Sequence, residues 1–466
     1  MSDDRRVVIA GAGPAGLTAA YELVKHGVCP LVLEKANQVG GLARTEVYKG
    51  YRFDMGGHRF YTKVAQVQQV WQDLLGEDLR KVRRLSRIYF RRRFFDYPIS
   101  LGNTLVNLGL GESALVLASY LQARLRPSPV EENFEQWVCN RFGRRLFETF
   151  FKTYTEKVWG IPCDLIQADW AAQRIRGLSL VSAVVDALVP SRSSKTLIRE
   201  FDYPTLGPGL LWERMEQAVT AGGGQVHLGT ALARLRHDGK RVTGVVARRD
   251  GRDAEIGGEQ FLSTMPLSEL VCRLEPPPPD DVLRAARALR YRSFLMVGLV
   301  VNRRNLFRDN WVYVHDPEFR VGRIQDFRNW SAAMIPEPEK TAAGMEYFCD
   351  EGDELWTQVD ETLIALATRE LVGLGLLEAG LVEDGVVFRQ PKAYPVYDRE
   401  YRRNVELVRS YLDGIVNLQS FGRNGMHRYN NLDHSMLAGM LAARNVLGEH
   451  HDLWSVNTEQ TYLEGG

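Results

Sequence analysis

The residues that decide the fold are Val7-Val8-Ile9-Ala10-Gly11-Ala12-Gly13-Pro14-Ala15-Gly16. The first four form an apolar, mainly β-branched run, the glycine loop follows without a break, and residues 17–25 favour a helix. A second apolar run at residues 31–33 ends at Glu34. This succession of strand, tight turn, helix and strand within about 30 residues is what a dinucleotide-binding unit requires. The sequence therefore predicts an α/β fold that begins with a Rossmann-like domain.

Each glycine of this loop has its own physical task in such a unit. Gly11 permits the tight turn, Gly13 lets the backbone approach a pyrophosphate, and Gly16 lets the helix pack against the strand. The helix N-terminus presents free N–H groups and the positive end of its dipole to phosphates. Glu34 can accept hydrogen bonds from an adenosine ribose. A glycine turn without a ligand is the alternative, but the joint spacing of strands, helix and acid favours a bound dinucleotide.

Composition excludes several other classes of protein. The chain has 466 residues, of which 45% are hydrophobic and 25% charged, so it can bury a large core over two or three domains. The net charge of +1 gives no overall attraction to nucleic acid or anionic lipid. Five cysteines, odd in number and widely spaced, favour reduced thiols and a cytoplasmic location. No apolar run reaches the roughly 18 residues of a membrane span, and the N-terminal apolar run is too short for a signal peptide.

A second glycine loop favours a flavin dinucleotide over a nicotinamide dinucleotide as the ligand. Gly40-Gly41-Leu42-Ala43-Arg44-Thr45 follows the second strand, and in many flavoproteins such a loop lies on the flavin side of the pyrophosphate, where Arg44 can pair with a phosphate oxygen. An ordinary glycine loop with a solvated arginine is the alternative. A strand at residues 225–235 would hold adenine near Leu232, and residues 261–266 would return toward the pyrophosphate. Together these features favour FAD.

The rest of the chain divides into an insert, a sheet and a returning tail. Residues 83–97 predict a hairpin, whose basic side chains we expect to form a solvated face, and residues 101–189 are mostly helical in pattern, followed by a linker at residues 191–194. In the tail, Asp433 is a candidate N-cap for a helix facing the flavin. We therefore predict a discontinuous Rossmann-like FAD-binding domain with a helical insert and a mainly antiparallel substrate-binding sheet. The predicted bounds are 1–75, 195–275 and 390–466 for FAD binding, 76–194 for the insert, and 276–389 for the substrate sheet.

Several segments beyond the glycine loops carry recognisable motifs. The longest is residues 143–160, GRRLFETFFKTYTEKVWG, and the others are residues 56–62 (GGHRFYT), 96–100 (DYPIS), 321–324 (VGRI), 394–396 (YPV) and 422–429 (GRNGMHRY). Through these segments most of the chain resembles the UDP-galactopyranose mutase family, a branch of the amine oxidase and protoporphyrinogen oxidase superfamily. Residues 143–160 are the most specific match, and the resemblance implies that their aromatic side chains bracket the uracil and line the substrate cleft.

The resemblance implies a flavin-dependent isomerase that interconverts the pyranose and furanose forms of a nucleotide-diphosphate sugar. In that family the flavin is reduced, and its N5 attacks the anomeric carbon and displaces the nucleotide diphosphate without net loss of electrons. The nucleophile is thus the cofactor, and the protein supplies orientation and electrostatics. The expected partners are the nucleotide sugar and, as options that the sequence leaves open, an external flavin reductant and a second copy of the chain. We expect no nucleic-acid partner.

Individual roles follow where residues match the family's motifs. The resemblance implies that Arg174 and Arg323 contact the substrate diphosphate, although Arg176 competes with Arg174 for that register. The implied catalytic residues are His58, Arg174, Arg323 and Tyr429. The implied substrate-binding residues are Phe150, Phe151, Tyr154, Trp159, Arg174, Arg323, Tyr347 and Tyr429. The predicted FAD-binding residues are Gly11, Gly13, Pro14, Ala15, Gly16, Glu34, Lys35, Gly41, Leu42, Ala43, Arg44, Gly57, His58, Leu232, Arg423, Asn431, Leu432 and Ser435. No metal site is predicted.

Three departures from the family pattern keep other readings open. Asn431 stands where the family usually has an acid, and residues 351–392 are longer than in short bacterial mutases and look more like amine or protoporphyrinogen oxidases. Residues 203–209 also differ from the mutase segment and favour a tight loop before a helix. The alternative is an FAD-dependent oxidase or dehydrogenase of those types, which needs neither Arg323 nor Tyr154. A third reading is a flavoprotein that binds a nucleotide sugar without turning it over.

Overall fold

Parallel strands joined through helices form the nucleotide-binding part of the molecule, and a separate, mainly antiparallel sheet faces it. The computed structural model describes residues 6–97, 101–168 and 200–457. Arg174, Arg176, the linker at residues 191–194, residues 98–100 of the DYPIS segment and most of the helix expected after residue 168 lie outside the described residues.

The strands are numbered in chain order over the described residues. They are β1 (Val7–Ala10), β2 (Leu31–Leu33), β3 (Thr45–Tyr48), β4 (Tyr51–Asp54), β5 (Leu79–Arg83), β6 (Ser86–Phe90), β7 (Arg93–Asp96), β8 (Glu200–Pro204), β9 (Gln225–His227), β10 (Thr230–His237), β11 (Val242–Arg249), β12 (Arg252–Ile256), β13 (Gln260–Ser263), β14 (Leu274–Glu275), β15 (Tyr291–Val301), β16 (Trp311–Val314), β17 (Arg323–Asp326), β18 (Thr341–Cys349), β19 (Val382–Pro395) and β20 (Leu418–Ser420).

The helices are numbered in the same way. They are α1 (Pro14–Lys25), α2 (Ala65–Leu75), α3 (Leu101–Leu108), α4 (Leu110–Leu125), α5 (Phe134–Phe142), α6 (Arg144–Leu146), α7 (Thr153–Trp159), α8 (Gly209–Ala221), α9 (Leu267–Cys272), α10 (Asp280–Ala288), α11 (Glu354–Thr357), α12 (Asp360–Gly373), α13 (Tyr401–Leu412), α14 (Gly422–Gly425) and α15 (Leu432–Val446).

The parallel sheet has the order β20-β13-β1-β2-β9, with every pairing parallel. All four residues of β1 are buried, as expected for a strand covered on both faces. The C-terminal helix α15 packs tightly on α1, because a Cβ at Gly439 would lie 2.3 Å from the Ala15 carbonyl oxygen. The first and last parts of the chain thus build one nucleotide-binding body, whose strand ends open toward the site.

The second sheet has the order β19-β15-β18-β17-β16-β6-β7 and is antiparallel except where β16 pairs with β6. One of its faces is covered by α12 through Leu363 and Leu371, and the other turns toward the nucleotide-binding body. Because side chains alternate along a strand, neighbours on β18 point to opposite faces. The hairpin expected at residues 83–97 is present as β6 and β7, and it is part of this sheet.

The helical insert packs over the end of the second sheet. The first part of the helical pattern expected over residues 101–189 is divided at Gly109, whose φ of +83° separates α3 from α4. Asn133 caps α5, and a π-helical turn, Phe147–Lys152, joins α6 to α7. Gly160 ends α7 with a φ of +65°, and a Cβ there would lie 2.6 Å from Cζ of Arg292. No helix among the described residues has the length and apolar character needed to cross a bilayer.

Candidate functional site

A single cavity of about 1420 Å³ extends from the glycine loop before α1 to the aromatic helices of the insert. Pockets for one drug-sized ligand are usually about 300–1,000 Å³. The cavity is therefore large enough for a dinucleotide together with a second ligand, and it lies between the nucleotide-binding body and the antiparallel sheet.

The glycine loop is shaped to bring the backbone against a ligand. Gly11 has a φ of +105°, and a Cβ at Gly16 would lie 1.9 Å from the Gly11 carbonyl oxygen. Gly41 of the second loop approaches so closely that its Cβ would lie 3.0 Å from Cα of Gly13. Gly11, Gly13 and Gly41 line the cavity, whereas Gly16 does not, because it lies under the turn against β1. A side chain at Gly16 or Gly41 would disturb this cradle, so the residues fit a dinucleotide pyrophosphate.

Glu34 is fixed at the end of β2 by backbone donors. Ala12 N–H donates to its Oε2 at 2.8 Å, and Ala36 N–H donates to its Oε1 at 2.8 Å. A carboxylate can accept further hydrogen bonds on each oxygen, and the residue borders the cavity. This position suits the predicted contact with a ribose.

Arg44 already has protein partners. Its guanidinium donates to Glu46 Oε1 at 2.6 Å, to the Gly41 carbonyl at 2.9 Å and to the Gln390 side chain. The residue borders the cavity beside the second glycine loop. Its contact with a phosphate therefore stays a prediction, and any such contact would share the guanidinium with Glu46.

His58 borders the cavity beside the second glycine loop, as a neutral imidazole. Its Nε2 donates to the carbonyl oxygens of Leu42 and Met55, at 2.9 and 3.0 Å. Burial lowers the pKa of His58 to about 4, and the positive charges of Arg323 and Arg423 add to this effect. The two arginines therefore lie close enough to the same ring to act on it electrostatically.

Arg323 projects from β17 and is held by Glu346 of β18. Its Nε and Nη2 donate to the two carboxylate oxygens at 2.9 and 2.5 Å, and Gln325 donates to the same carboxylate at 2.7 Å. Burial opposes the charge of Arg323, but the carboxylate of Glu346 outweighs it, so the pKa of Arg323 lies well above its usual range. The guanidinium thus reaches the cavity in a fixed orientation.

Arg423 is positioned by carbonyl groups. Its Nε donates to Ala393 O and its Nη1 to Asn430 O, both at 3.0 Å. Over the described ranges no carboxylate forms an ion pair with Arg423, so its charge is not compensated locally. Its Cζ lies 3.9 Å from the centre of the Tyr429 ring and 5.1 Å from that of Tyr394. An uncompensated cation that borders a cavity attracts an anionic group.

Three aromatic rings form the wall next to Arg423. Tyr394 and Tyr429 are stacked with their centroids 5.8 Å apart, and Trp159 lies 6.1 Å from Tyr429 and 6.2 Å from Tyr394. Burial raises the pKa of Tyr394, so its hydroxyl stays protonated. Tyr394 belongs to the YPV segment at residues 394–396, which matches the mutase family, but no role was predicted for Tyr394 itself.

A second aromatic group forms the far end of the cavity. The Tyr154 ring is stacked on His315 at 4.5 Å with an interplanar angle of 11°, and it meets Tyr313 edge-on at 5.5 Å. Tyr313 and His315 lie two residues apart, so they share one face of the β16 segment. Phe150 and Phe151 border the same end. The result is a slot with flat aromatic surfaces.

Lys157 joins helix α7 to the segment that links β16 and β17. Its ammonium group donates to the carbonyl oxygens of four residues between β16 and β17, at distances of 2.8–3.2 Å: Val314, Asp316, Phe319 and Val321. Burial lowers its pKa to about 8. Because Lys157 belongs to α7, which also carries Tyr154 and Trp159, these bonds fix the aromatic helix against the sheet.

The N-terminus of α15 faces the cavity, but its cap differs from the predicted one. Asn431 is the N-cap, and its N–H donates to His434 Nδ1 at 3.3 Å. Asp433, which the sequence suggested as the cap, is the second helical residue and instead accepts a bond from Thr62 at 3.2 Å. Burial raises the pKa of Asp433 to about 6. The positive end of this helix dipole thus borders the cavity beside Asn431 and Leu432.

The structure brings most of the predicted residues to one cavity and separates Tyr347 from it. Tyr347 is fully buried on the other face of the sheet, where its hydroxyl donates to Glu370 at 3.0 Å, so the expected substrate role is corrected. The predicted residues that line the cavity are Gly11, Gly13, Pro14, Ala15, Glu34, Lys35, Gly41, Leu42, Ala43, Arg44, Gly57, His58, Phe150, Phe151, Tyr154, Trp159, Leu232, Arg323, Arg423, Tyr429, Asn431, Leu432 and Ser435.

Several lining or supporting residues were missed. Large side chains alternate along residues 311–315, and this alternation was a usable signal for Trp311, Tyr313 and His315. Glu346 carried no local signal, because its importance comes from a cross-strand neighbour. Within the described ranges no group of three or more His, Cys, Asp or Glu residues could hold a metal ion.

Solved structures with the same fold include a mutase and two oxidases. Reduced UDP-galactopyranose mutase superposes with a TM-score of 0.85 at 21% identity and covers 98% of both chains. A candidate protoporphyrinogen oxidase from Exiguobacterium sp. 255-15 gives 0.71 at 18% identity, covering 96% of this chain and all of the other. Putrescine oxidase bound to putrescine gives 0.60 at 17% identity, with 96% and 99% covered. At these identities the likeness concerns the fold.

Curated relatives match only short segments. The hydrogen cyanide synthase subunit HcnB of Pseudomonas protegens is 37% identical over 82 residues, and an L-amino-acid oxidase of Crotalus adamanteus is 47% identical over 62. These matches cover 17% and 13% of this chain and 17% and 12% of the relatives. The family model described as "Flavin containing amine oxidoreductase" matches residues 14–371, which is most of the chain. The chain therefore belongs to the flavin-containing amine oxidoreductase family, as a flavoprotein with the fold of a UDP-galactopyranose mutase.

Proposed function

We propose that the protein is an FAD-dependent mutase that interconverts the pyranose and furanose forms of a nucleotide-diphosphate sugar. One observation carries the proposal: Arg323 and Arg423 line one cavity together with the glycine cradle and an aromatic slot, and a Cβ at Gly56 would lie 3.7 Å from both Arg323 Nη2 and His58 Nε2. A diphosphate between a sugar and a base needs cations between a reaction site and a flat stacking site. This cavity is lined by cations and by flat aromatic side chains, which supports the proposal.

FAD would be held at the nucleotide-binding end. The N-terminus of α1 and the cradle of Gly13 and Gly41 suit its pyrophosphate, and Glu34 suits its ribose. Leu232 borders the cavity beyond Glu34 and would contact adenine. Bound FAD in its reduced form supplies the nucleophile for the anomeric carbon, as in the family that the chain resembles. Arg423 and the N-terminus of α15 would favour a reduced, negatively charged ring.

The substrate diphosphate would lie against Arg323 and Arg423. The charge of Arg323 is balanced by Glu346, so this residue contributes orientation through its remaining N–H groups. Among the described residues no carboxylate pairs with Arg423, so it contributes attraction as well. Tyr429 covers the Arg423 guanidinium and would position the diphosphate from the aromatic side. Arg174 lies outside the described residues, so we assign the binding of the negatively charged diphosphate to Arg323 and Arg423.

The base and sugar would occupy the aromatic part of the cavity. The stacked Tyr154–His315 pair and the neighbouring Phe150 and Phe151 offer flat surfaces to a nucleobase. Trp159, between this slot and Tyr429, would exclude water from the sugar. Because the pKa of His58 is about 4, His58 is neutral at pH 7 and would hold the loop at residues 55–58 in place rather than donate a proton from an imidazolium.

An FAD-dependent oxidase is the second candidate, since the family model covers amine oxidoreductases and a putrescine oxidase shares the fold. The charge of the cavity argues against a cationic amine, because Arg423 would repel it at the reaction site. An anionic or neutral substrate would meet no such repulsion. A porphyrinogen-like or carotenoid-like substrate therefore fits this alternative better than an amine.

The test is turnover of a substrate panel by the reduced holoprotein under anaerobic conditions. Dithionite-reduced protein is incubated with UDP-, GDP- and dTDP-pyranoses, and the products are separated by chromatography and weighed by mass spectrometry. We expect a new isomer of unchanged mass from at least one nucleotide sugar, formed by the reduced and not by the oxidised protein. Oxygen uptake with an oxidised product would instead establish the oxidase. Binding of the nucleotide sugars without any product would reject both.

A further inference from the structure

Helix α4 carries an apolar stripe on its solvent side. Leu115, Leu121 and Leu125 are 54%, 52% and 82% exposed, and the alanines at 114 and 118 lie between them on the same side. Residues three or four apart share a helix face, so these side chains form one continuous strip. Leu117, 50% exposed, lies beside it. Such a strip is unusual on a surface in contact only with water.

The opposite face of α4 is firmly seated in the insert. Val116 and Tyr120 are buried, and the helix lies so close to the start of α6 that a Cβ at Gly143 would be 2.7 Å from the Tyr120 nitrogen. The core of the insert therefore does not need the outer leucines, and their exposure is a property of the folded surface.

Arginine side chains lie near the end of this strip that is formed by the N-terminus of α4. The exposed residues Arg91, Arg92 and Arg93 form the turn of the β6–β7 hairpin, and Arg93 donates to the Asn107 carbonyl just before α4 begins. Two acids lie near this end: Glu112 accepts a bond from Arg145 at 2.6 Å, and the buried Asp316 accepts one from the Arg91 backbone N–H at 3.0 Å. The pKa of Glu112 is held below its usual range by Arg145 and, more weakly, by Arg91.

Arginine side chains also lie at the other end of the strip, at the C-terminus of α4. Arg124 and Arg126, both exposed, flank Leu125 where the helix finishes. The acid that follows, Glu131, is bonded to Arg141 at 2.6 Å. The strip is thus apolar along its length and positive at both ends, and the acids Glu112 and Glu131 next to it are already neutralised.

We infer that α4 is a docking surface for an anionic lipid membrane, on which the helix lies flat. Leucines in the acyl boundary with arginines at the headgroups are the arrangement of an interfacial amphipathic helix. Anionic headgroups match the positive ends, and each arginine near such a surface adds attraction. The 16 residues of α4 span about 24 Å, and the whole strip would contact one leaflet.

The same charges oppose pairing with a second copy of the chain. In a twofold pair with antiparallel helices, the arginines at residues 91–93 of one copy would meet Arg124 and Arg126 of the other. In a parallel pair, each group would meet itself. Both arrangements bring like charges together around an apolar contact, which is unfavourable. A lipid surface has no such conflict.

The experiment is vesicle co-sedimentation of the full-length, flavin-loaded protein. Vesicles of phosphatidylcholine are compared with vesicles that also contain phosphatidylglycerol, at low and high salt. We expect binding only to the anionic vesicles, and weaker binding at high salt. The triple variant Leu115→Gln, Leu121→Gln, Leu125→Gln and the double variant Arg124→Gln, Arg126→Gln should each weaken binding at least about tenfold.

A matched control separates this face from general surface hydrophobicity. Val359 and Val416 are 61% and 68% exposed and lie outside α4, so Val359→Gln, Val416→Gln should bind anionic vesicles like the original protein. Flavin absorbance and melting temperature verify that each variant is folded. The inference is overturned if the original protein does not bind anionic vesicles at low salt, or if the leucine variant binds as well as the control. Light scattering that finds a dimer dissociated by the leucine variant would also overturn it.

Discussion

The guanidinium of Arg323 and the carboxylate of Glu346 face each other across β17 and β18 and share two hydrogen bonds, of 2.9 and 2.5 Å. Glu346 is fully buried, and Arg323 extends from it into the cavity. A two-point contact fixes the plane of a guanidinium as well as its position. Glu346 therefore determines which N–H groups of Arg323 remain available to a ligand.

Replacing Arg323 by alanine should weaken the binding of UDP roughly ten- to a hundredfold, because a charge-assisted contact to phosphate is lost. The same substitution leaves Glu346 buried without its partner, which costs about 3–5 kcal/mol of stability. The double variant Arg323→Ala, Glu346→Gln should recover much of that stability but not the affinity. Isothermal titration calorimetry and urea unfolding measure the two quantities. A double variant that binds UDP like the original protein would show that Arg323 does not contact the diphosphate.

Tyr394 and Tyr347 should behave oppositely when they are altered. Tyr394→Ala removes the ring that covers Arg423 and stacks on Tyr429, so UDP affinity should fall about fivefold or more. Tyr347→Phe removes a bond to Glu370 on the far face of the sheet and should lower the free energy of unfolding by about 1 kcal/mol without changing affinity. Calorimetric titration with UDP distinguishes the two. Weaker binding by Tyr347→Phe would restore Tyr347 to the site.

Gly41→Ala should greatly reduce the flavin bound per protein chain. Its Cβ would lie 3.0 Å from Cα of Gly13, where a pyrophosphate is expected to approach the backbone. Gly239→Ala is the matched control, since Gly239 also has a positive φ but no atom lies within 4 Å of its would-be Cβ. The control should lose some stability from backbone strain and keep its flavin. Equal flavin content in both variants, measured by absorbance after purification, would contradict the proposed cradle.

As the pH falls below about 6.5, the free energy of unfolding of the original protein should decrease more than that of the variant His58→Gln. The pKa of His58 is about 4 in the folded state, whereas an unfolded histidine has a pKa of about 6.5. Between these values the unfolded chain binds the extra proton and the native protein does not, so stability falls as pH decreases. The full difference is about 3 kcal/mol, reached below pH 4. Urea unfolding of both proteins at pH 7, 5.5 and 4.5 provides the test, and parallel curves would indicate an ordinary pKa.

The parts of the site that depend on local sequence could be predicted. The glycine loop, α1, β2 and Glu34 are consecutive in the chain, and local backbone rules connect them. The N-cap of α15 was predicted two residues too late, at Asp433 in place of Asn431. Both residue types are good N-caps, and the choice between them depends on packing around the helix start.

The parts that depend on strand register could not be predicted. The sequence suggested Tyr347 as a substrate residue, whereas in the structure its neighbour Glu346 is the residue that holds Arg323 beside the cavity. Side chains on a strand alternate between faces, so a difference of one residue moves the prediction to the opposite side of the sheet. The pairing of Glu346 with Arg323 is set by the register of β17 against β18, which no local pattern reveals. The bonds of Lys157 to a distant loop are hidden from the sequence for the same reason.

The most direct test of the account follows the flavin spectrum during anaerobic turnover of a nucleotide sugar by reduced protein. A mutase uses reduced flavin and returns it reduced, so the isomer should accumulate over many turnovers, with unchanged mass, while the flavin stays bleached. If the flavin instead becomes oxidised or the product differs in mass from the substrate, the protein carries out net electron transfer and the mutase proposal is wrong.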